Sequence, residues 1–426
     1  MNQFIFFVGN LISAFSRKLN LGNGSTWPGH IALFLNKNFV TEILNTRNVQ
    51  TVFVVGTNGK TTTSKLLATI LEKNNIKTML NSSGANLLNG VASSLIINSA
   101  YLKGSEKKLA ILEIDENALS VISKIVEPDY LIALNLFRDQ LDRYGEIDSI
   151  SGKWKETINN YKNTILILNS DDPQIAFLGF KTKLKCYYFG LDEKALETKV
   201  VQHGADSIIC PNCTEKLIFD CFYFSHLGKW SCPKCGFKRP MPNISSFSVN
   251  PLSGTYAKYD ILASVMLSKI LKIDEKKIQE ALESFVPAFG RQEEITYKNK
   301  KIKIFLSKNP ISFNESLDTI IKLKGKNFVF ALNDKIPDGL DVSWIWDIDF
   351  ERLLEKDINV FVCGDRAYDM SLRLKYTECF NQVFEDFEQG ISKILDNLES
   401  NETLYILPNY SAMLDIRKTL TGKKIL

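Results

Sequence analysis

The sequence contains no apolar run of the roughly 18–20 residues that a membrane-spanning helix needs, so no helical bilayer span is expected. A secretory leader is not expected either. Met1–Val8 is apolar for a few residues, from Phe4 to Val8, and the pattern continues through Leu11, Ile12 and Phe15, but the first basic residues, Arg17 and Lys18, follow that run instead of preceding it. Two readings of this segment stay open. It is either an amphipathic helix packed on the body of the protein, or one resting on a membrane surface with Arg17 and Lys18 toward anionic lipid. Strong charge of either sign is also lacking. With 52 basic and 48 acidic residues the formal net charge is +4, which supplies no clustered basic footprint and argues against a nucleic-acid partner. There is no internal repeat and no low-complexity tract.

A secreted disulfide framework is absent too. Of eight cysteines, Cys186, Cys221, Cys363 and Cys379 are scattered and expected to be buried, so a reducing cytoplasm is the expected compartment. The other four are patterned: Cys210-Pro211-Asn212-Cys213, eighteen residues, then Cys232-Pro233-Lys234-Cys235. Two C-x-x-C turns at this spacing present four thiolates to one tetrahedral Zn²⁺, with no open position for chemistry, which reads as a structural site. Gly236 suits the tight knuckle, and a short insertion with little core depends on its metal to fold. A redox pair and a nucleic-acid-binding ribbon are the rival readings. His203 and His226 are not needed as ligands and are expected on the surface or loosely packed.

A chain of 426 residues, 45% hydrophobic and 23% charged, is an ordinary globular protein too long for one core, so two or three domains are expected. From about residue 50, β-branched runs alternate with helical patterns, the sign of a parallel sheet covered by helices. Strands are predicted at Thr51–Val55, Leu109–Leu112, Tyr130–Leu134 and Thr164–Leu168, each ending in a polar cluster: the glycine loop, then Glu113-Ile114-Asp115-Glu116, Asn135 and Asn169-Ser170-Asp171-Asp172. Open α/β sheets bind ligands beyond the carboxyl ends of their strands, so these clusters describe one crevice. Residues 198–242 read as an insertion carrying the cysteines. A second series follows, with strands at Ile302–Leu306, Phe328–Leu332, Val360–Cys363 and Leu404–Leu407. The expected division is a first α/β domain over 1–296, with the insertion inside it, and a C-terminal α/β domain over 297–426.

The motif with most chemistry is Gly56-Thr57-Asn58-Gly59-Lys60-Thr61. It is shorter at its start than G-x-x-x-x-G-K-[ST], yet it keeps the close backbone approach at Gly59 and a helix start whose N–H groups cradle anionic oxygens. Lys60 is placed to neutralise terminal phosphates, and a Thr61 or Thr62 hydroxyl to reach Mg²⁺. Glu113 is the candidate carboxylate ligand for that ion, the alternative being a solvated acid.

The segments Gly56–Thr63, Glu113, Asn135 and Asn169-Ser170-Asp171-Asp172-Pro173 resemble the ATP-binding core of Mur ligases and folylpolyglutamate synthases. More narrowly, four features are similar to the MurT family, synthetase subunits of lipid II isoglutaminyl synthase. They are Phe137–Glu146, the cysteine pairs, Ser307-Lys308-Asn309-Pro310, and Asn333-Asp334 with Asp338–Trp344. The resemblance implies a Mur-ligase-like P-loop domain with a parallel sheet and an inserted four-cysteine zinc ribbon, followed by a Rossmann-like C-terminal α/β domain. It also implies ATP-dependent amidation of the α-carboxylate of D-glutamate in lipid II through an acyl phosphate. Ammonia would come from a separate GatD-like glutaminase subunit in a heterodimer. The resemblance assigns Lys60 and Glu113 to catalysis, and Gly56, Thr57, Asn58, Gly59, Lys60, Thr61, Thr62, Asn169 and Asp171 to the nucleotide. Asp341 would orient the partner's catalytic His, or else be a turn or N-cap aspartate. Gln140 stands where peptide-adding relatives carry a metal-binding His, and Glu156 is a candidate substitute for their carbamylated Lys. In Gly254–Asp260, Ala257 and Asp260 replace asparagines of the relatives. Two rivals stay open: an amino-acid-adding ligase of the Mur or folylpolyglutamate type, and a nucleotide-regulated adaptor using the ribbon.

Overall fold

The computed structural model describes residues 2–18, 26–81, 85–102, 104, 108–138, 147–200, 206–287, 290–335, 338–354, 357–399 and 402–422. Val49-Gln50-Thr51-Val52-Phe53-Val54-Val55 forms β1 (Val49–Val55), and its β-branched residues are buried on both faces, as a central parallel strand requires. It sits in a six-stranded parallel sheet with β2 (Lys77–Leu80), β3 (Lys108–Glu113), β4 (Tyr130–Ala133), β5 (Ile165–Asn169) and β6 (Cys186–Phe189), in the order β2-β3-β1-β4-β5-β6. The strand order reverses around β1, so the crevice opens at its carboxyl end between β3 and β4. One face is covered by helices Lys60–Lys73, Thr255–Ile270 and Glu275–Glu283, the other by helices that include Asn2–Lys18, Trp27–Leu35, Leu88–Ile97 and Ile147–Asn159. Leu66 and Ile70 of the helix after the glycine loop are fully buried, each such side chain stabilising the fold by about 1.5–3 kcal/mol.

The inserted segment is a small two-stranded ribbon, β7 (Ile218–Phe224) and β8 (Leu227–Ser231), flanked by the cysteine knuckles. Its own core, Trp230 and Phe237 with Phe177 and Phe180, joins it to the helix Pro173–Gly179 of the main sheet.

The second sheet contains β9 (Arg291–Tyr297), β10 (Lys300–Phe305), β11 (Asn327–Ala331), β12 (Asn359–Cys363), β13 (Gln382–Val383) and β14 (Thr403–Pro408), in the order β13-β12-β11-β14-β10-β9. Its core is parallel, as the expected Rossmann-like α/β domain requires, and β9 joins β10 antiparallel through Lys298-Asn299, both left-handed, which makes the sheet mixed at that edge. The β9 strand spans the expected boundary at residue 296. Cys221, Cys363 and Cys379 are buried as expected and Cys186 is half-buried. Asp139–Glu146, with Gln140, and His203 lie outside the described residues.

Candidate active site

Gly56 and Gly59 have φ of 139° and 86°, the left-handed region. A Cβ on Gly59 would lie 2.2 Å from Asp260 Oδ1, so this position needs glycine for space as well as conformation. The loop therefore turns directly from β1 into the helix Lys60–Lys73 and aims its amides into the crevice. Asn135, just beyond β4, holds it from behind: its Oδ1 accepts from Asn58 N at 3.0 Å and its Nδ2 donates to Asn58 O at 3.1 Å and to the Tyr256 hydroxyl at 2.7 Å. Thr57 Oγ1 donates to Phe137 O and accepts from Phe137 N.

Lys60 Nζ folds over the loop, donating to Gly56 O and lying 3.4 Å from Glu116 Oε2. Thr61 Oγ1 donates to Glu113 Oε2 at 2.8 Å, bringing the helix start and the end of β3 together. Burial raises the Glu113 carboxyl above its usual range, opposed by the Thr61 bond and by the charges of Lys60 and Arg291. A divalent cation would relieve that desolvation, so a hydroxyl and a carboxylate beside a phosphate loop fit Mg²⁺. Asn81 pins Glu113 by exchanging bonds with both its backbone N–H and its C=O. Asn81 and Glu116 were not singled out from sequence, although Glu116 lies in the acidic cluster after β3.

Asn169 and Asp171 take different places from the loop residues. Asn169 Nδ2 donates to Leu134 O and its Oδ1 accepts from Asp171 N. Asp171 accepts from Arg239 Nε at 2.6 Å, Leu191 N at 2.8 Å, the Tyr259 hydroxyl at 2.8 Å and Ser170 Oγ at 3.0 Å. Both are fully buried, and these bonds run into the protein and the ribbon. Asp172 caps the helix Pro173–Gly179 through Gln174 N and Ile175 N, and also accepts from Leu136 N. The expectation for His226 is overturned. It is fully buried at the turn between β7 and β8, with Nε2 3.4 Å from Asp172 Oδ2 and its ring 4.7 Å from that of Phe137. Glu156 is exposed, about 200° round its helix from the buried Trp154.

The loop faces a cleft of about 90 Å³ between the two sheets, lined by Asn58, Gly59 and Thr62 on one side and by residues such as Phe305, Ile311 and Glu315 on the other. Helix Thr255–Ile270 does reach it, presenting Tyr256, Ala257 and Asp260. Burial pushes the Asp260 carboxyl well above its usual range, with Thr63 and Arg291 opposing. Arg291, in β9, lines the cleft and sends its charge to Glu113, Tyr256 and Asp260. From the second sheet, Glu315 caps helix Thr255–Ile270 by accepting from Tyr256 N at 3.2 Å, and Gln292 exchanges bonds with both backbone groups of Ser253. These cross-sheet contacts join residues far apart in sequence, which is why local pattern could not reveal them.

The four patterned cysteines converge, their sulfurs all within 4.8 Å of one another. Cys210 and Cys235 Sγ are 3.7 Å apart, and Cys213 and Cys232 Sγ 3.5 Å. Those are near the edge of about 3.8 Å expected for a tetrahedron with Zn–S arms of about 2.3 Å. Left-handed Thr214 and Gly236, at φ of 61° and 72°, close the two knuckles. Asp341 is exposed, and its Oδ1 accepts from Ser343 N at 2.8 Å at the start of a 3₁₀ turn, a bond that lowers its pKa. The turn geometry is thus present and the carboxylate still reaches solvent.

Two protein families match this chain: the one described as Mur ligase middle domain over residues 54–216, and MurT ligase C-terminal over residues 306–413. A lipid II isoglutaminyl synthase (glutamine-hydrolyzing) subunit MurT from Staphylococcus aureus is 34% identical over 92% of this chain and 91% of its own length. The protein of the same description from Streptococcus pneumoniae is 31% identical over 95% and 94%. Among solved structures, a pseudomurein peptide ligase type C from Methanothermus fervidus superposes with a TM-score of 0.64 at 23% identity, covering 88% of this chain and 78% of that one, a likeness of fold. The identity and near-complete coverage of the curated relatives, together with the matched C-terminal domain, establish that this chain belongs to the MurT family.

Proposed function

We propose that this chain is the synthetase subunit that amidates the α-carboxylate of D-glutamate in the stem peptide of lipid II, at the inner face of the cell membrane. The carboxylate oxygen attacks the γ-phosphorus of ATP and ADP leaves. Ammonia then forms the C–N bond as phosphate departs and a proton is lost, giving D-isoglutamine. The observation that carries the reading is the convergence of Lys60, Thr61 and Glu113 at the start of the helix Lys60–Lys73, whose neighbours Gly59 and Thr62 line a cleft shared with the second sheet.

In this reading the amides of Gly56–Thr62 cradle the phosphates and Lys60 offsets charge on the γ-phosphoryl as it moves. Thr61 and Glu113 hold Mg²⁺, which supplies further charge neutralisation when bound. Arg291 faces the same space from β9. Asn169 and Asp171 position the loop's neighbours and do not touch nucleotide. The apolar part of the cleft, including Leu252, Ala257 and Ile311, receives the base. Zn²⁺ on the four cysteines is structural.

Asp341 would orient the catalytic His of a glutaminase subunit. Its surroundings suit docking: Leu340 is 71% exposed, the Trp346 and Tyr376 rings meet at 5.3 Å, and the helix Ala367–Tyr376 leaves Tyr368, Leu372 and Tyr376 exposed along one stripe.

The test incubates the chain with Mg-ATP and lipid II, adding either ammonium or free amino acids, and identifies the product by mass. Ammonium-dependent conversion of the carboxylate to an amide is expected. Turnover with an amino acid and none with ammonium would overturn the proposal in favour of an amino-acid-adding ligase.

A further inference from the structure

The helix Asn2–Lys18 is apolar on two sides. Ile5, Gly9 and Ser13, at i, i+4 and i+8, turn inward, and Gly9 lies so close to Ile96 that a Cβ would come within 2.7 Å. That stripe accounts for the helix's packing. Phe4, Phe7 and Leu11, at i, i+3 and i+7, form another stripe and are 61%, 68% and 62% exposed. The neighbouring helix Trp27–Leu35 packs against the first and leaves Trp27 63% and Phe34 86% exposed. Large apolar side chains exposed in such numbers are unusual on a protein surface without an occupant. Between the first helix and residues 99–102 runs an open groove of about 580 Å³ that includes Phe6, Phe7, Leu11 and Leu102, with Arg47 among its lining.

Charge selects the occupant. Residues 1–41 contain no Asp or Glu at all, against Arg17, Lys18 and Lys37; the first acid in the chain is Glu42. Glu42 is engaged by Asn2 and Asn36 at 2.9 Å each. An apolar face on two helices that contain no acid of their own matches a surface of acyl chains beneath anionic headgroups. No helix among the described residues is long and apolar enough to cross a membrane, so the contact is one of lying on the surface. We infer that the helices Asn2–Lys18 and Trp27–Leu35 form a docking face for an anionic bilayer surface, with Phe4, Phe7, Leu11, Trp27 and Phe34 inserted at the headgroup boundary. The face rests on its own geometry. Its use, holding the active site beside a lipid-borne substrate, rests on the function proposed above.

Flotation of the whole chain with vesicles tests it without substrate or turnover. One set is phosphatidylcholine alone, the other an equal mixture with phosphatidylglycerol. The wild type is expected to float with the anionic set, less so with the neutral one, and to be released by raised salt. The triple variant Phe4→Ser, Phe7→Ser, Phe34→Ser is expected to lose roughly tenfold or more of its vesicle partitioning, while its melting temperature and its turnover of a soluble, lipid-free substrate analogue hold. If the triple variant unfolds, Phe34→Ser alone, at the most exposed of these positions, serves with the same expectation of reduced flotation. Failure of the wild type to float, or equal flotation of wild type and folded variants, would overturn the inference. So would a wild-type dimer that the variants dissolve in the absence of vesicle binding, since a second copy would then cover the face. Lack of turnover with the analogue would count against the proposed function and leave the flotation result standing.

Discussion

Asn58 in the phosphate loop and Asn309 at the N-cap of helix Pro310–Lys322 exchange side-chain amide hydrogen bonds, Asn309 Nδ2 donating to Asn58 Oδ1 at 3.2 Å and Asn58 Nδ2 donating to Asn309 Oδ1 at 3.5 Å. Asn309 Oδ1 also accepts from Ser312 N at 2.8 Å, completing a capping box with the Ser312 hydroxyl. One side chain thus ends a helix of the second sheet and grips the nucleotide loop of the first. Asn309→Ala is expected to lower stability by about 0.5–2 kcal/mol and to raise KM for ATP. Asn309→Asp keeps the cap and loses the amide donor, so it should restore most of the stability without restoring KM. Thermal melts beside ATP titrations of turnover check this. An unchanged KM in Asn309→Asp would show that the contact does not position the loop.

The ribbon reaches the sheet through a buried ion pair. Arg239, four residues beyond Cys235, sits against Asp171; the carboxylate is fully buried and the guanidinium side chain nearly so. Breaking such a pair leaves a buried charge uncompensated, at about 3–5 kcal/mol. Arg239→Met should therefore destabilise the protein by that order, and Asp171→Asn combined with Arg239→Met should recover part of the loss. Removing the metal should act along the same route: a chelator should release one equivalent of zinc and lower the melting temperature. Metal analysis and melting before and after chelation test it. Zinc-free protein of undiminished stability would contradict the structural role.

How much of this was legible in sequence depended on whether the signal was local. The β-branched run into Gly56 and Gly59, and the helix with Leu66, Leu67, Ile70 and Leu71, announce strand, loop and helix within twenty-five residues, and all are present. The four cysteines were equally plain, because C-x-x-C fixes its own turn. Edge strands were not: Lys77–Leu80 and Gln382–Val383 are short, and Arg291–Tyr297 is too polar to read as buried. His226 was misread because nothing local says that the turn between β7 and β8 tucks under Phe137 and against Asp172. Arg291 and Asn309 drew no nucleotide role because each lies more than two hundred residues from the loop it faces.

Glu315 lends the cleft a dependence on pH. Burial first, and the neighbouring Asp318 second, raise its carboxyl from 4.5 to about 8. A raised acid means that the folded state holds the proton better than the unfolded state does. Its stabilisation is therefore complete below pH 4.5, declines as pH rises through 8, and is level above, with a slope of at most about 1.4 kcal/mol per pH unit. Thermal midpoints at pH 6 and 8.5 should fall for the wild type and fall less for Glu315→Gln. An identical fall in both would remove Glu315 as the cause.

Asp341 separates the two chemistries of the complex. In Asp341→Asn paired with its glutaminase subunit, amidation driven by glutamine should drop by at least about a hundredfold, while amidation driven by added ammonium stays near wild type. Glutamine hydrolysis, followed as glutamate release, reads the difference. Unchanged hydrolysis would leave Asp341 as the residue that opens the Ser343 turn and nothing more.

The most direct test of the whole account is the amount of amidated lipid II formed by Lys60→Ala under saturating ammonium and Mg-ATP. Lys60 closes over Gly56 and faces Glu116, so its loss leaves the fold of the loop to the Asn135 clamp and removes the one side-chain cation of the loop motif itself. A fall in rate of about two to three orders of magnitude, in a variant that melts like the wild type, is the predicted result. Undiminished amidation would contradict it.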